Sequence, residues 1–525
     1  MASSTMIPNT KLKRRFYGPI ILGVALKEIF RRDFDRTPNS VPDTHDGAEQ
    51  GYHQFVYRLA HICDSKQGGS TVTAIAVLEE SDCIRYLVGS NERKAEELDE
   101  VKDYLTRVLN IVGKPDLSSI DKMMVIVPAV IRFNLPRIKS YVNKLERALS
   151  LCIEHCKRDV EAGTEQGAKH LKETLLRLQA MTSFRLNRRL EDDQYVRACQ
   201  KLVSQIHLIS KHSEFQESIV QRAREGRIDI SEHWTDLRHF LNRLHAYYQD
   251  VETIVRTKRR WVQLFHDFKV TVVPSSKPAP NPLKANPRSK APSAHDVIGH
   301  MTSEPGEISR YRGYAAELQT LGLDEQISTE TGKNGFKPIV HAEVLVQSAA
   351  LSHIQTSDPA RGTRFWNNWK YVGSSKPTCR LCGYYFELHP DGVQVRSSHR
   401  NLYPSWRLPD AHDEASVRFR DKMLNEIKKK VCDVVFRTLQ ERVPQGKRRD
   451  SNTTSLMAGY LISGDTDAHS AVSDLASRLS GMSVGRVDSE APRNRKNAPR
   501  SVRVREVGED DENFIVWIRP AGLRM

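Results

Sequence analysis

His341-Ala342-Glu343 and, further along the chain, Cys379-Arg380-Leu381-Cys382 carry the residue types best suited to chemistry. One imidazole and two thiolates make three ligands for Zn²⁺. A tetrahedral ion with three protein ligands keeps its fourth position for water or substrate, as catalytic zinc sites do. Cysteines at C-x-x-C spacing in the first turn of a helix reach one metal together, and the helix N-terminus favours thiolate over thiol. Thr378 reads as the N-cap of that helix. Glu343 stands two residues after the histidine, close enough to move a proton without ligating. A competing set, Cys379, Cys382, His389 and His399, would close the fourth position, although its histidine spacing departs from that of short zinc fingers. Cys152-Ile153-Glu154-His155-Cys156 is a further cluster. It reads as helix packing, since no partner segment joins it.

These groups need elements to hold them. The run Val344–Leu351 after the histidine fits a helix, and Tyr371–Lys376 fits a strand leading into the cysteine helix. Upstream, Thr71–Leu78 and Ile84–Val88 are rich in β-branched residues and are separated by the turn-like Glu79-Glu80-Ser81-Asp82. They read as a β-hairpin closed by Gly89-Ser90-Asn91. From about 92 to 270 the apolar residues recur at spacings of three and four, as in Leu98, Val101, Leu105, Val108 and Val112. That is the pattern of a helical bundle. Residues 274–292 carry Pro274, Pro278, Pro280, Pro282, Pro287 and Pro292 among four basic residues, the composition of an extended, solvated linker. Beyond about 441 the apolar periodicity stops, and the stretch reads as largely disordered. Its apolar end, Phe514–Ile518, fits either a strand or a docking peptide.

Composition bounds the rest. The 525 residues are 39% hydrophobic and 28% charged, which excludes a wholly disordered chain. No apolar run approaches the roughly 18 residues of a membrane span. Pro19–Leu26 follows Lys11, Lys13, Arg14 and Arg15 as a secretion leader would. It lacks a small-residue cleavage site and reads as a short amphipathic helix. Eight scattered cysteines suit a reducing compartment, so an intracellular location, cytoplasmic or nuclear, is expected rather than secretion. The net charge of +15 favours acidic partners, nucleic acid among them, and fits solvated basic tails equally well.

The two motifs together, H-x-E followed by a proline and C-x-x-C, form the signature of zinc deaminases that act on cytosine or adenine rings. The segment resembles the cytidine deaminase-like superfamily, and more narrowly the deaminase-like proteins of filamentous fungi. Arg396–Pro409, rich in His, Tyr, Trp and Pro, is similar to a segment of those proteins. The resemblance implies a mixed α/β fold, a three-layer α/β/α sheet domain split by a large helical insertion. Its divisions would be 1–68, a basic helical segment; 69–92, the first hairpin; 93–270, the inserted bundle; 271–296, the Pro-rich linker; 297–440, the zinc-binding core; and 441–525, the tail. It implies Zn²⁺ on His341, Cys379 and Cys382, with Glu343 as proton shuttle. Substrate contacts would come from Asn91, Ala342, His399, Tyr403 and Trp406. The substrate would be a cytosine- or adenine-type base in a nucleotide or single-stranded nucleic acid. Two features depart from the pattern: the proline lies one position early, and the spacer from His341 to Cys379 is long. The alternative is a non-catalytic interaction protein that keeps a zinc-stabilised fold and binds a protein partner through the helical insertion.

Overall fold

The hairpin forms. In the computed structural model, which describes residues 9–30, 47–163, 167–186, 191–224, 228–284, 291–359, 362–444 and 446, β1 (Thr73–Glu79) pairs antiparallel with β2 (Ile84–Ser90). On its other side β1 pairs antiparallel with β5 (Tyr371–Ser374), Ala74 facing Ser374 and Ala76 facing Val372. The hairpin and the strand that precedes the cysteines therefore share one sheet. Its order is β3-β2-β1-β5-β6, with β4 (Arg364–Phe365) pairing the end of β1. β3 (Phe268–Val273) runs parallel to β2, and β6 (Gln394–Val395) runs parallel to β5.

Both faces of this sheet are buried, and alternation along the strands assigns the residues. Ile75, Val77, Tyr86 and Val88 join one apolar cluster, and Ala74, Ala76, Leu78 and Leu87 join the other. The first cluster is covered by α2 (Ala48–Ile62) and by seven helices between β2 and β3. These are α3 (Ala95–Gly113), α4 (Ser119–Phe133), α5 (Leu135–Ala162), α6 (Ala168–Met181), α7 (Asp192–Ile209), α8 (Ser213–Arg224) and α9 (Ile228–Arg260). Cys152 and Cys156 are buried in this layer, where His155 Nδ1 accepts the indole N–H of Trp234 at 3.2 Å.

The second cluster is covered by α1 (Thr10–Ile29), α10 (Ala294–Ile298), α11 (Pro305–Glu317), α12 (Leu323–Gly332), α13 (Ala342–Thr356), α14 (Arg380–Leu388) and α15 (Glu414–Glu441). Two glycines let helices approach the sheet. A Cβ on Gly373 of β5 would stand 2.6 Å from the Tyr57 nitrogen of α2, and one on Gly89 of β2 would stand 2.8 Å from the Val346 side chain of α13.

Three expectations need correction. The segment read as a short amphipathic helix is the core helix α1, whose Phe16, Ile20, Ile21, Leu22, Ala25 and Leu26 are buried against α15 and its neighbours. Apolar residues lie on more than one side of it, so no surface stripe exists. Residues 268–273, assigned to the end of the bundle and the start of the linker, form the edge strand β3, in keeping with the β-branched run Val270-Thr271-Val272-Val273. The described part of the Pro-rich stretch is pinned rather than solvated. Ala279 N donates to Pro338 O at 2.8 Å, Asn281 Nδ2 donates to Thr331 O at 2.8 Å, and Leu283 is buried. Among the described residues no helix is long and apolar enough to cross a membrane. The tail from 447, with Phe514–Ile518, lies outside the described residues.

Candidate metal centre

His341 is the N-cap of α13 and Cys379 is the N-cap of α14, so two helix N-termini converge on one point. The Cys379 sulfur accepts the Cys382 N–H at 3.4 Å, so the cap is the cysteine itself rather than Thr378. The Thr378 hydroxyl donates instead to Arg396 O at 3.0 Å. The chain ahead of each cap is fixed. Ile339 N donates to Ser405 O at 3.0 Å and Arg407 N donates to Ile339 O at 2.8 Å, which holds residues 405–407 beside the approach to His341.

The three donors gather. His341 Nδ1 stands 3.6 Å from Cys379 Sγ and 3.5 Å from Cys382 Sγ. All three ligand atoms lie within 4.8 Å of one another, and both cysteines are buried while His341 is partly exposed. The fit to a metal can be tested on these distances. Nitrogen and sulfur donors bound to one tetrahedral Zn²⁺ stand about 3.5–3.6 Å apart, given bond lengths of about 2.0–2.1 and 2.3 Å. The observed separations match, and the donor set is a soft one suited to zinc. The competing four-ligand set does not gather among the described residues: His389 Nδ1 faces Asp391 at 3.3 Å, and His399 Nδ1 accepts the Asn401 N–H at 3.1 Å. A second group, Glu80, Asp82 and Cys83, also lies close together. Its principal carboxylate is already neutralised: Arg85 forks onto Glu80 and holds it down to about 2.

Glu343 lies in the first turn of α13, buried, with Oε2 at 4.0 Å from Cys382 Sγ. It borders the donors without joining them. Burial pushes its carboxyl above the usual range, partly offset by His341. That is the direction a group needs if it is to hold a proton in mid-reaction. Burial raises both thiols as well. The Cys382 thiol and the His341 imidazole nevertheless hold Cys379 well below its ordinary value, while Cys382 stays well above. Desolvation of the His341 ring is outweighed by the Cys379 thiolate, so its charged form is favoured.

The remaining expected site residues fall into two groups. Asn91, at the end of the hairpin, accepts the Ala342 N–H on Oδ1 at 2.8 Å and donates from Nδ2 to Gly69 O at 2.8 Å. The first bond occupies the Ala342 N–H, so two of the expected contact residues pair with each other. Tyr403 is half-buried, with its ring 6.5 Å from that of His341 and 5.5 Å from that of His399. His399 is buried, and its own N–H donates to Thr378 O. Trp406 is fully buried, its carbonyl accepting the Tyr17 hydroxyl of α1 at 2.9 Å. Its buried indole nitrogen makes no hydrogen bond among the described residues.

The sequence reading gave no role to Asp64, Arg93 or Arg137. These buried polar groups surround the loop that leads into β1. Nothing in their local spacing marks them, because their partners come from distant segments.

With this geometry in view, a family model described as OTT_1508-like deaminase matches residues 340–410, the stretch that carries His341, Glu343, Cys379 and Cys382. No curated protein and no solved structure gives a significant match to the chain.

Proposed function

We propose that this protein is a zinc-dependent hydrolytic deaminase of a cytosine- or adenine-type base, carried by a nucleotide or by single-stranded nucleic acid. The observation that carries the reading is the meeting of His341, Cys379 and Cys382 at zinc-ligand separations with Glu343 4.0 Å from one sulfur. The deaminase family match over the same residues supports it. The catalytic domain on this reading is a three-layer α/β/α unit split by the helices α3–α9, of the kind found in fungal deaminase-like proteins.

Bound by these three side chains, Zn²⁺ would supply the Lewis acidity that makes water a nucleophile near neutral pH. Glu343 takes the water proton on a carboxylate oxygen and hands it to the ring nitrogen next to the attacked carbon. It then takes the remaining proton of the added hydroxyl and delivers it to the amine, so that the C–N bond breaks, the carbonyl forms and ammonia leaves. Burial of Glu343 keeps bulk water from exchanging that proton. Tyr403, half-exposed beside His341, offers a face on which a flat ring can stack. A base within a duplex would first have to be unpaired or flipped.

The test is ammonia release from cytidine, adenosine, their nucleotides and single-stranded oligonucleotides, run on the parent and on Glu343→Gln. The reading expects release by the parent on at least one substrate and a loss of at least about 100-fold in the variant, with metal retained. A parent that binds zinc and releases no ammonia from any of them favours the non-catalytic scaffold instead.

A further inference from the structure

Residues 63–72, the loop between α2 and β1, touch both halves of the metal centre. On the cysteine side, the buried Asp64 carboxylate accepts the Ser375 hydroxyl at 3.0 Å, and Lys376 Nζ donates to Gly68 O at 2.6 Å. Ser375 and Lys376 lie directly ahead of Pro377-Thr378-Cys379. On the histidine side, Gly69 O accepts from Asn91 Nδ2, and Asn91 Oδ1 accepts from Ala342 N, the residue after His341. Asn91 N and Glu92 N donate to Val72 O and Ser70 O, so the loop is tied to the end of the hairpin.

This loop is itself held by the helical layer. Arg137 of α5 reaches Asp64 Oδ2 at 2.6 Å and Asp64 O at 2.8 Å, both side chains being almost wholly buried. Asn134 Nδ2 donates to Ile62 O at 2.8 Å from the same end of α5. A buried carboxylate is tolerable only with its partners in place, and a broken buried pair leaves an uncompensated charge. The chain of contacts is therefore continuous from the bundle to both ligand turns.

We infer that Asp64, clamped by Arg137, is a positioning residue that fixes the spacing between the His341 turn and the Cys379–Cys382 turn, so that the helical layer governs metal affinity at a centre it does not touch. The inference rests on the metal reading under Proposed function. Groups beyond the ligands that orient them are worth roughly 10–100-fold in metal affinity.

The experiment measures Zn²⁺ affinity by competition with a chromogenic chelator, and records the visible spectrum of the Co²⁺-loaded protein, for the parent, Asp64→Asn, Ser375→Ala and Leu202→Ala. Leu202 is buried in α7 within the bundle and serves as a control for lost stability alone. The expected result is an affinity lowered roughly 10–100-fold in Asp64→Asn and about 10-fold in Ser375→Ala, with an altered Co²⁺ spectrum in both. Leu202→Ala should melt earlier and keep the parent affinity and spectrum. If Asp64→Asn does not fold, Ser375→Ala decides. Parent affinity and spectrum in Ser375→Ala and in any folded Asp64→Asn overturn the inference and leave the metal reading standing. An affinity that falls equally in Leu202→Ala also overturns it. A parent that takes up neither ion overturns both.

Discussion

Asn91 Oδ1 accepts the backbone N–H of Ala342 at 2.8 Å across 251 positions of sequence. The bond satisfies one of the N–H groups at the start of α13 that no intrahelical carbonyl can reach. It also ties the end of the hairpin to the turn that carries His341 and Glu343. Replacing Asn91 with Ala leaves the buried Ala342 N–H without this partner, at about 1–3 kcal/mol, whereas the exposed Gly69 keeps the Val72 N–H on its carbonyl. Chemical denaturation of Asn91→Ala should show a lowered midpoint with an unchanged slope. An unaltered midpoint would mean that water replaces both contacts without loss.

Gly373 and Gly313 give opposite outcomes for the same substitution. At Gly373 an added Cβ meets the α2 backbone, 2.6 Å from Tyr57 N and 2.8 Å from Val56 C, and backbone cannot swing aside. Gly373→Ala should cost about 1–3 kcal/mol. Gly313 lies inside α11, and a Cβ added there would have nothing within 4 Å. Gly313→Ala should stabilise by up to about 1 kcal/mol, through helix propensity alone. Thermal unfolding of the two variants should move in opposite directions.

Tyr403 separates a substrate role from a structural one. Its ring lies within 6.5 Å of that of His341 but is not among the gathered donors. On the deaminase reading, Tyr403→Ala removes a stacking surface worth about 1–3 kcal/mol per base. Steady-state kinetics on the best substrate should show kcat/KM reduced at least about 5-fold, with the metal content of the parent. An unchanged kcat/KM would remove Tyr403 from the base pocket.

The bundle should make the protein acid-sensitive. His239 in α9 is buried, its Nδ1 has no partner among the described residues, and burial together with Arg243 and Lys144 lowers its pKa to about 3. The unfolded chain takes that proton near pH 6.5. Between pH 6.5 and about 3 the unfolded state therefore binds more protons, and stability falls as pH drops. His239→Leu should flatten this acid limb by up to about 1.4 kcal/mol per pH unit, while stability at pH 7.5 is not reduced. Parallel limbs in the two proteins would contradict the assignment.

What the sequence made legible followed from local signals. The histidine and cysteine turns each have a compact motif, and the hairpin has β-branched runs with a polar turn between them. The helical layer shows in stripes such as Leu98, Val101, Leu105, Val108 and Val112, all buried. Other features depend on contacts between distant segments. β3 completes the sheet only by running parallel to β2, a pairing that leaves no local mark. α1 reads as a surface helix until α15 and the Trp406 segment cover it. The Asn91 carboxamide and the Asp64 carboxylate gain their roles from partners that no periodicity reveals.

The central claim is that His341, Cys379 and Cys382 hold one ion together. Metal analysis of the purified protein and of Cys382→Ser tests it most directly. The account predicts about one equivalent of zinc per chain in the parent, as one three-ligand site requires, and a markedly lower content in a folded Cys382→Ser. A parent free of zinc after growth and purification with the metal supplied, or a variant that holds as much as the parent, would contradict it.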